Sequence, residues 1–248
     1  MKKSKLDKLI RWCAVGGCEL FCLVSLCFTV PTKDVTNIAL CIGTFALIMI
    51  PEIVEKVFSC KINTVLYMIG VIYAIGPLLG DVYRLYYLTS WWDKLLHTLG
   101  GVVFAMFGAY LFTKLTGKQD KKFACAIFAL CFSVTLSVCW EFVEFGCDYL
   151  LGTDMQHDTV IQSIHSYHLS DTLGEVGKID EIHSVTINGQ ELEGYLDIGL
   201  YDSMTDMLLE SAGALVFALF FMLDKGKHPL FLANQKNNSK TFSCFVSV

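Results

Sequence analysis

The sequence predicts an all-α membrane protein: a six-transmembrane-helix bundle, both termini cytoplasmic, with an extracytoplasmic loop containing a small β-hairpin. Three observations carry this. The 248 residues are 54% hydrophobic and 17% charged, and the apolar residues fall in long runs, each about the twenty residues a helix needs to cross a bilayer. Lysine and arginine concentrate in alternate loops, the positive-inside pattern of polytopic proteins. One long polar stretch, 149–197, carries nine Asp/Glu against the single Lys178, so it forms a separate layer outside the apolar spans.

The elements follow in order. Residues 1–11 hold Lys2, Lys3, Lys5, Lys8 and Arg11 against Asp7. The apolar run that follows, to Val30, is longer than a signal-peptide core and lacks a small-residue cleavage site, so it reads as an uncleaved first helix. Glu19 lies near its middle. The second span covers 37–58, with Pro51 inside it; Glu52 and Glu55, late in the span, are expected to face water near the proline kink. The third span covers 64–79. The aromatic-rich connector 81–92 suits a membrane–water interface. The fourth span covers 93–115, the fifth 123–150 and the sixth 198–223. The expected layout is five transmembrane helices in 1–148, the acidic loop 149–197, the sixth helix within 198–224 and a tail of 225–248.

Loop charges set the orientation. Lys56 and Lys61 follow the second span, and Lys114, Lys118, Lys121 and Lys122 follow the fourth. Lys225, Lys227, Lys236 and Lys240 sit in the tail, whereas the alternate loops have Lys33, Arg84 and Lys178. Only Lys94 blurs the contrast. Both termini are therefore expected in the cytoplasm of a multi-pass plasma-membrane protein, with 149–197 outside. Within that loop, Asn188-Gly189 joins the β-prone stretches 181–187 and 190–195, a type I′ hairpin signal.

Eleven cysteines do not make a disulfide scaffold. Cys13, Cys18, Cys22, Cys27, Cys41, Cys125, Cys131 and Cys139 lie in apolar runs, where thiols act as small hydrophobes, and the loop has none. There is no nucleotide-binding glycine loop, nucleophile elbow or HExxH pair. The partner implied is the lipid bilayer, and nothing points to nucleic acid.

The informative residues are acids near the outer helix ends. Asp93 and His97 are i, i+4 in the fourth span. Glu141, Glu144 and Asp148 share a face in the fifth, and Asp202, Asp206 and Glu210 share one in the sixth. With a rise of about 1.5 Å per residue, Glu141 lies about 27 Å from the inner end of its span. Asp206 and Asp202 lie about 25 Å and 31 Å from the inner end of theirs. Asp93 opens the fourth span at the same outer level; taken alone it reads as a helix N-cap. The topology thus brings three helices' acids to one depth. Carboxylates crowded there repel unless they share protons, pair with cations or hold a metal. Lys94, Arg84 and His97 are too few to pair them all.

The stretch 154–158, with His157 and Asp158, can close over the set and add ligands. The expected metal set is Asp93, His97, Glu141, Glu144, Asp148, Asp158, Asp202 and Asp206, with His97 or Glu144 as general base. Such a set suits Mg²⁺, Mn²⁺, Ca²⁺ or Zn²⁺. The plain structural alternative is a polar network that fixes helix register. His165, His168 and His183 are expected to be solvated, and Gly70, Gly76, Gly80, Gly100 and Gly101 to let helices approach closely.

Three motifs carry a resemblance: Asp93-Lys94-Leu95-Leu96-His97, Trp140-Glu141 with Glu144, and Asp202 with Asp206 followed by Gly213-Ala214. Through them, roughly residues 60–225 resemble the YjdF-like family of uncharacterised bacterial integral membrane proteins. Their order is more distantly similar to VanZ-like membrane proteins. The resemblance implies a multi-helix bundle in a bacterial plasma membrane and implies no established reaction. The long loop departs from the shorter connector of simpler members.

Three functions compete at this level. One is an outward-facing, divalent-metal-dependent enzyme acting on a lipid or envelope precursor. Another is an ion-coupled transporter, which the lack of an inverted repeat disfavours. The third is a membrane sensor or assembly protein that uses the acidic loop. The sequence alone does not decide whether the protein is an enzyme.

Overall fold

The computed structural model describes residues 2–57, 62, 64–117 and 121–223, with side chains described from residue 5. Lys61, Lys118 and the tail 225–248, all used to assign orientation, lie outside the described residues. Among the described residues, six helical segments are long and apolar enough to cross a membrane.

The first is α1 (Lys2–Thr29), which ends in a 3₁₀ turn, Val30–Thr32. Asp34 caps α2 (Val35–Ile48) by accepting a hydrogen bond from the Asn37 backbone N–H at 3.1 Å. Pro51 interrupts the second span as expected. The chain breaks at Met49 and resumes as α3 (Ile50–Val57), with Pro51 in its first turn, where its missing N–H leaves no bond unmade. α4 (Thr64–Asp81) and the short α5 (Leu85–Leu88) precede α6 (Trp92–Thr116). α6 closes on Gly117 at φ 64°, a left-handed C-cap that glycine adopts without strain. α7 (Lys122–Leu151) leads into the loop, and α8 (Leu200–Leu223) follows it. The outward surfaces of these helices are apolar, with Trp12, Phe28, Phe142 and Phe220 all exposed, as lipid contact requires.

The chain divides into two compact units, one of 1–134 with 210–248, the other of 135–209; the division falls inside α7 and α8, each a continuous helix. The first unit has two cores. Cys22, Cys41, Ile48, Tyr67, Val71 and Leu78 form one among α1, α2 and α4. Ala105, Ala109, Ala129, Ala214, Phe217 and Phe221 form the other among α6, α7 and α8. Alanine at these contacts lets helix backbones approach, the packing mode of helices in lipid. Glycine takes this further at two places. A Cβ on Gly101 would sit 1.9 Å from the Glu210 carbonyl oxygen, and one on Gly213 2.1 Å from that of Thr98. The Trp92 indole N–H donates to the Gly76 carbonyl at 3.2 Å and ties the start of α6 to α4.

The expectation for Glu55 is corrected here. It does not face water: its side chain is 11% exposed and pairs with Arg11 at 2.7 Å. Arg11 also donates to Thr64 Oγ1 and the Ile62 carbonyl, and its guanidinium lies 4.7 Å from the centre of the Tyr67 ring. A lone carboxylate would be costly there; a cation 44 residues away in sequence offsets that cost. Glu52 pairs with Lys56 at 3.5 Å and is more exposed.

In the second unit, 149–197 folds into three antiparallel strand pairs. They are β1 (Thr159–Ile161) with β6 (Tyr195–Asp197), β2 (Ile164–Ser166) with β3 (Gly177–Ile179), and β4 (Val185–Ile187) with β5 (Gln190–Leu192). The last is the expected hairpin. Asn188 at φ 51° and Gly189 at φ 88° make its turn, as a type I′ turn requires. The other two pairs close longer loops that the sequence does not signal.

Candidate functional site

In the first unit the site is built on α6 and α8. Asp93 does not cap α6, as the sequence suggested: Trp91 holds the cap position, and Asp93 lies in the first turn. There its charge still suits the positive end of the helix. One turn on, His97 is buried, 8% exposed. Its Nε2 lies 3.6 Å from Asp93 Oδ1, and its Nδ1 lies 3.9 Å from Glu210 Oε2 on α8. Glu210 is 2% exposed. The Gly101 and Gly213 contacts bring the two helices close enough for this meeting.

Neither distance is a hydrogen bond, which for nitrogen and oxygen falls near 2.7–3.2 Å. The first matches another geometry. Two ligands at about 2.1 Å from one ion, at a tetrahedral angle, lie about 3.4 Å apart. Asp93 Oδ2 and Glu210 Oε1 are buried with no hydrogen-bond partner among the described residues. A buried carboxylate oxygen without a donor is costly unless a cation faces it. A histidine between two carboxylates is also the arrangement in which one nitrogen binds a metal while the other is oriented by an acid.

In the second unit Glu141, Glu144, Asp202 and Asp206 are all buried, Asp206 at 1% exposure. The Trp140 indole N–H donates to Glu144 Oε1 at 2.6 Å. Asp148 is used differently from its neighbours. Its carboxylate accepts from Thr153 Oγ1 at 2.7 Å, the Met155 N–H at 2.6 Å and the Gln156 N–H at 2.9 Å. It therefore clamps the turn that follows α7. The Gln156 amide donates to Ser203 Oγ and fastens that turn to the start of α8. His157, next in sequence, sits with Nδ1 3.8 Å from Asp202 Oδ2.

Asp158 is exposed, and its N–H donates to Asp154 Oδ1 at 3.2 Å. Partial burial and the Asp154, Asp148 and Asp197 carboxylates push its own carboxyl above the ordinary aspartate value. His165 faces Asp180 at 3.9 Å in the open loop, and His168 and His183 are exposed.

Two residues gain importance over the sequence reading. Glu210 was visible as the third acid of the i, i+4, i+8 series, yet only the fold shows that it faces His97. His157 was visible beside Asp158, but spacing does not say which of the two turns toward Asp202. Composition supports a limited chemical statement: buried carboxylates and imidazole of this kind could hold a divalent metal.

A family model described as "Predicted membrane protein (DUF2238)" matches residues 16–226. This bears out the resemblance to the YjdF-like membrane proteins and carries nothing on the more distant VanZ-like similarity. No curated protein and no solved structure matches the chain.

Proposed function

The chain belongs to the DUF2238 family of predicted membrane proteins, and for this member we propose an outward-facing, divalent-metal-dependent enzyme acting on a lipid or envelope precursor. Asp93 and His97 hold the cation, and Glu210 faces the other imidazole nitrogen. The observation that carries the reading is His97, buried between two carboxylates at 3.6 and 3.9 Å, each with a buried oxygen that has no hydrogen-bond donor among the described residues.

In this assignment Glu210 orients the histidine. The donor set of one nitrogen and one carboxylate, completed by water, fits Mn²⁺ or Zn²⁺, and Mg²⁺ with more water. A cation there would polarise a substrate oxygen and lower the pKa of a bound water. Lysine sorting supports cytoplasmic termini in a plasma membrane, with the site toward the outer face.

The test is metal analysis of protein purified in mild detergent. The expected result is stoichiometric divalent metal that Asp93→Asn sharply reduces. A wild-type protein without divalent metal, or an Asp93→Asn variant with full content, overturns the proposal.

A further inference from the structure

We infer that α1 is an interaction surface on which a second copy of this chain docks, with the Glu19 side chains of the two copies meeting in the middle of the membrane. Glu19 lies fourteen residues from Lys5 and thirteen from Thr32, the ends of the first span, so it is about 20 Å from either. With a bilayer core about 30 Å thick, that position is near the centre. Among the described residues Glu19 has no hydrogen bond and no ion pair. Arg11, the nearest cation along α1, is two turns away and already held by Glu55, Thr64 and Ile62. An ionisable group at this depth is costly unless it meets a partner, and the described residues supply none.

The neighbours of Glu19 on α1 show where that partner lies. Trp12, Gly16, Glu19 and Leu23 follow one another at spacings of four, three and four, the stripe along which two helices pack side by side. Trp12, Gly16 and Leu23 are exposed and Glu19 is partly so, whereas Val15, Cys22 and Ser25, on another side of α1, are buried. Less of α1 is covered by the rest of the chain than of α4, α6 or α8. Gly16 is an independent sign. A Cβ on Gly101 or Gly213 would strike the backbone of a neighbouring helix; one on Gly16 would meet nothing within 4 Å. Glycine inside a helix costs backbone entropy, and among the described residues nothing uses the space that Gly16 leaves. A helix approaching from outside does.

A second copy fits this stripe. Copies of one chain insert the same way round, so across a two-fold axis along the membrane normal each residue of the stripe meets its own counterpart at the same depth. A carboxyl can be donor and acceptor in one group. Two Glu19 side chains therefore satisfy each other by sharing protons, the polar contact that joins helices in lipid. Gly16 then faces Gly16, where the two backbones come closest.

The test counts copies in a bilayer. Full-length protein carrying one fluorophore per chain is reconstituted in phosphatidylcholine vesicles at a low protein-to-lipid ratio, and copies per spot are read from photobleaching steps. The wild type is expected to bleach in two steps. Glu19→Gln is expected to keep two, because a carboxamide is also donor and acceptor. Glu19→Leu and Gly16→Ile are expected to bleach in one. Circular dichroism and thermal melts in detergent check that each variant folds, and Gly16→Ile decides the matter should Glu19→Leu not fold. One step in the wild type overturns the inference and leaves the stripe to lipid or to a different membrane protein. Two steps in a folded Glu19→Leu or Gly16→Ile variant, or one step in Glu19→Gln, also overturns it. None of these outcomes depends on the metal centre.

Discussion

Gly101→Ala tests whether the α6–α8 contact positions the site. In an unobstructed helix this change is favourable, because alanine loses less backbone entropy than glycine, by about 0.5–1 kcal/mol. At Gly101 the structure reverses the sign. The added Cβ would lie 1.9 Å from the Glu210 carbonyl oxygen and 2.9 Å from the Ala214 nitrogen, both backbone atoms of α8. An ordinary carbon–oxygen contact is about 3.3 Å, so the helices must part by about 1.4 Å. Overpacking of this kind costs about 1–3 kcal/mol, which outweighs the entropic gain. For a chain of this length each kcal/mol moves the melting midpoint by about 2–4 °C, so a fall of several degrees is expected in detergent. The same separation would move Glu210 from His97 and lower metal affinity. Gly43→Ala on α2 is the control, since no atom lies within 4 Å of its added Cβ; it should be neutral or stabilising. If Gly101→Ala melts at or above the wild type, the close contact does not position Glu210 and the reasoning fails.

Further outcomes follow from the polar contacts. Arg11→Met leaves Glu55 buried without its cation and should cost about 3 kcal/mol; in thermal melts the double variant Arg11→Met/Glu55→Met should recover most of that. Asp148→Ala removes the acceptor of three donors in the turn after α7. Local opening becomes easier by about 2 kcal/mol, and amide exchange at Met155 and Gln156 rises about thirtyfold. Asp158 has a raised carboxyl in the folded protein, so the native state binds more protons than the unfolded one just above the ordinary aspartate value. Its contribution therefore favours folding at low pH and is lost as pH rises through that window. In chelator-treated protein, Asp158→Asn should be more stable than wild type at neutral pH, with the gain vanishing in acid; a gain independent of pH would contradict this.

Much of the membrane architecture was legible because it rests on local rules. A run of apolar residues makes a helix in lipid whatever its neighbours, and Asn188-Gly189 makes its turn from its own φ preferences. Long-range pairing was not legible. Glu55 looked solvated because nothing near it in sequence is a cation that reaches it, and Arg11 arrives from the other end of a different helix. Strands β1 and β6 are three residues each and pair across the whole loop, too short for periodicity to register. The acidic residues were legible as residue types, but the contacts each makes were not. Asp148 and Asp202 read alike in sequence. The fold turns one toward three backbone and hydroxyl donors and the other toward His157.

The most direct test of the central claim is metal-edge X-ray absorption on the protein as purified and on His97→Gln. The account predicts a nitrogen/oxygen shell at about 2.0–2.2 Å with imidazole scattering, weakened in His97→Gln. A spectrum unchanged by that substitution, or the absence of a metal edge in the wild type, would contradict it.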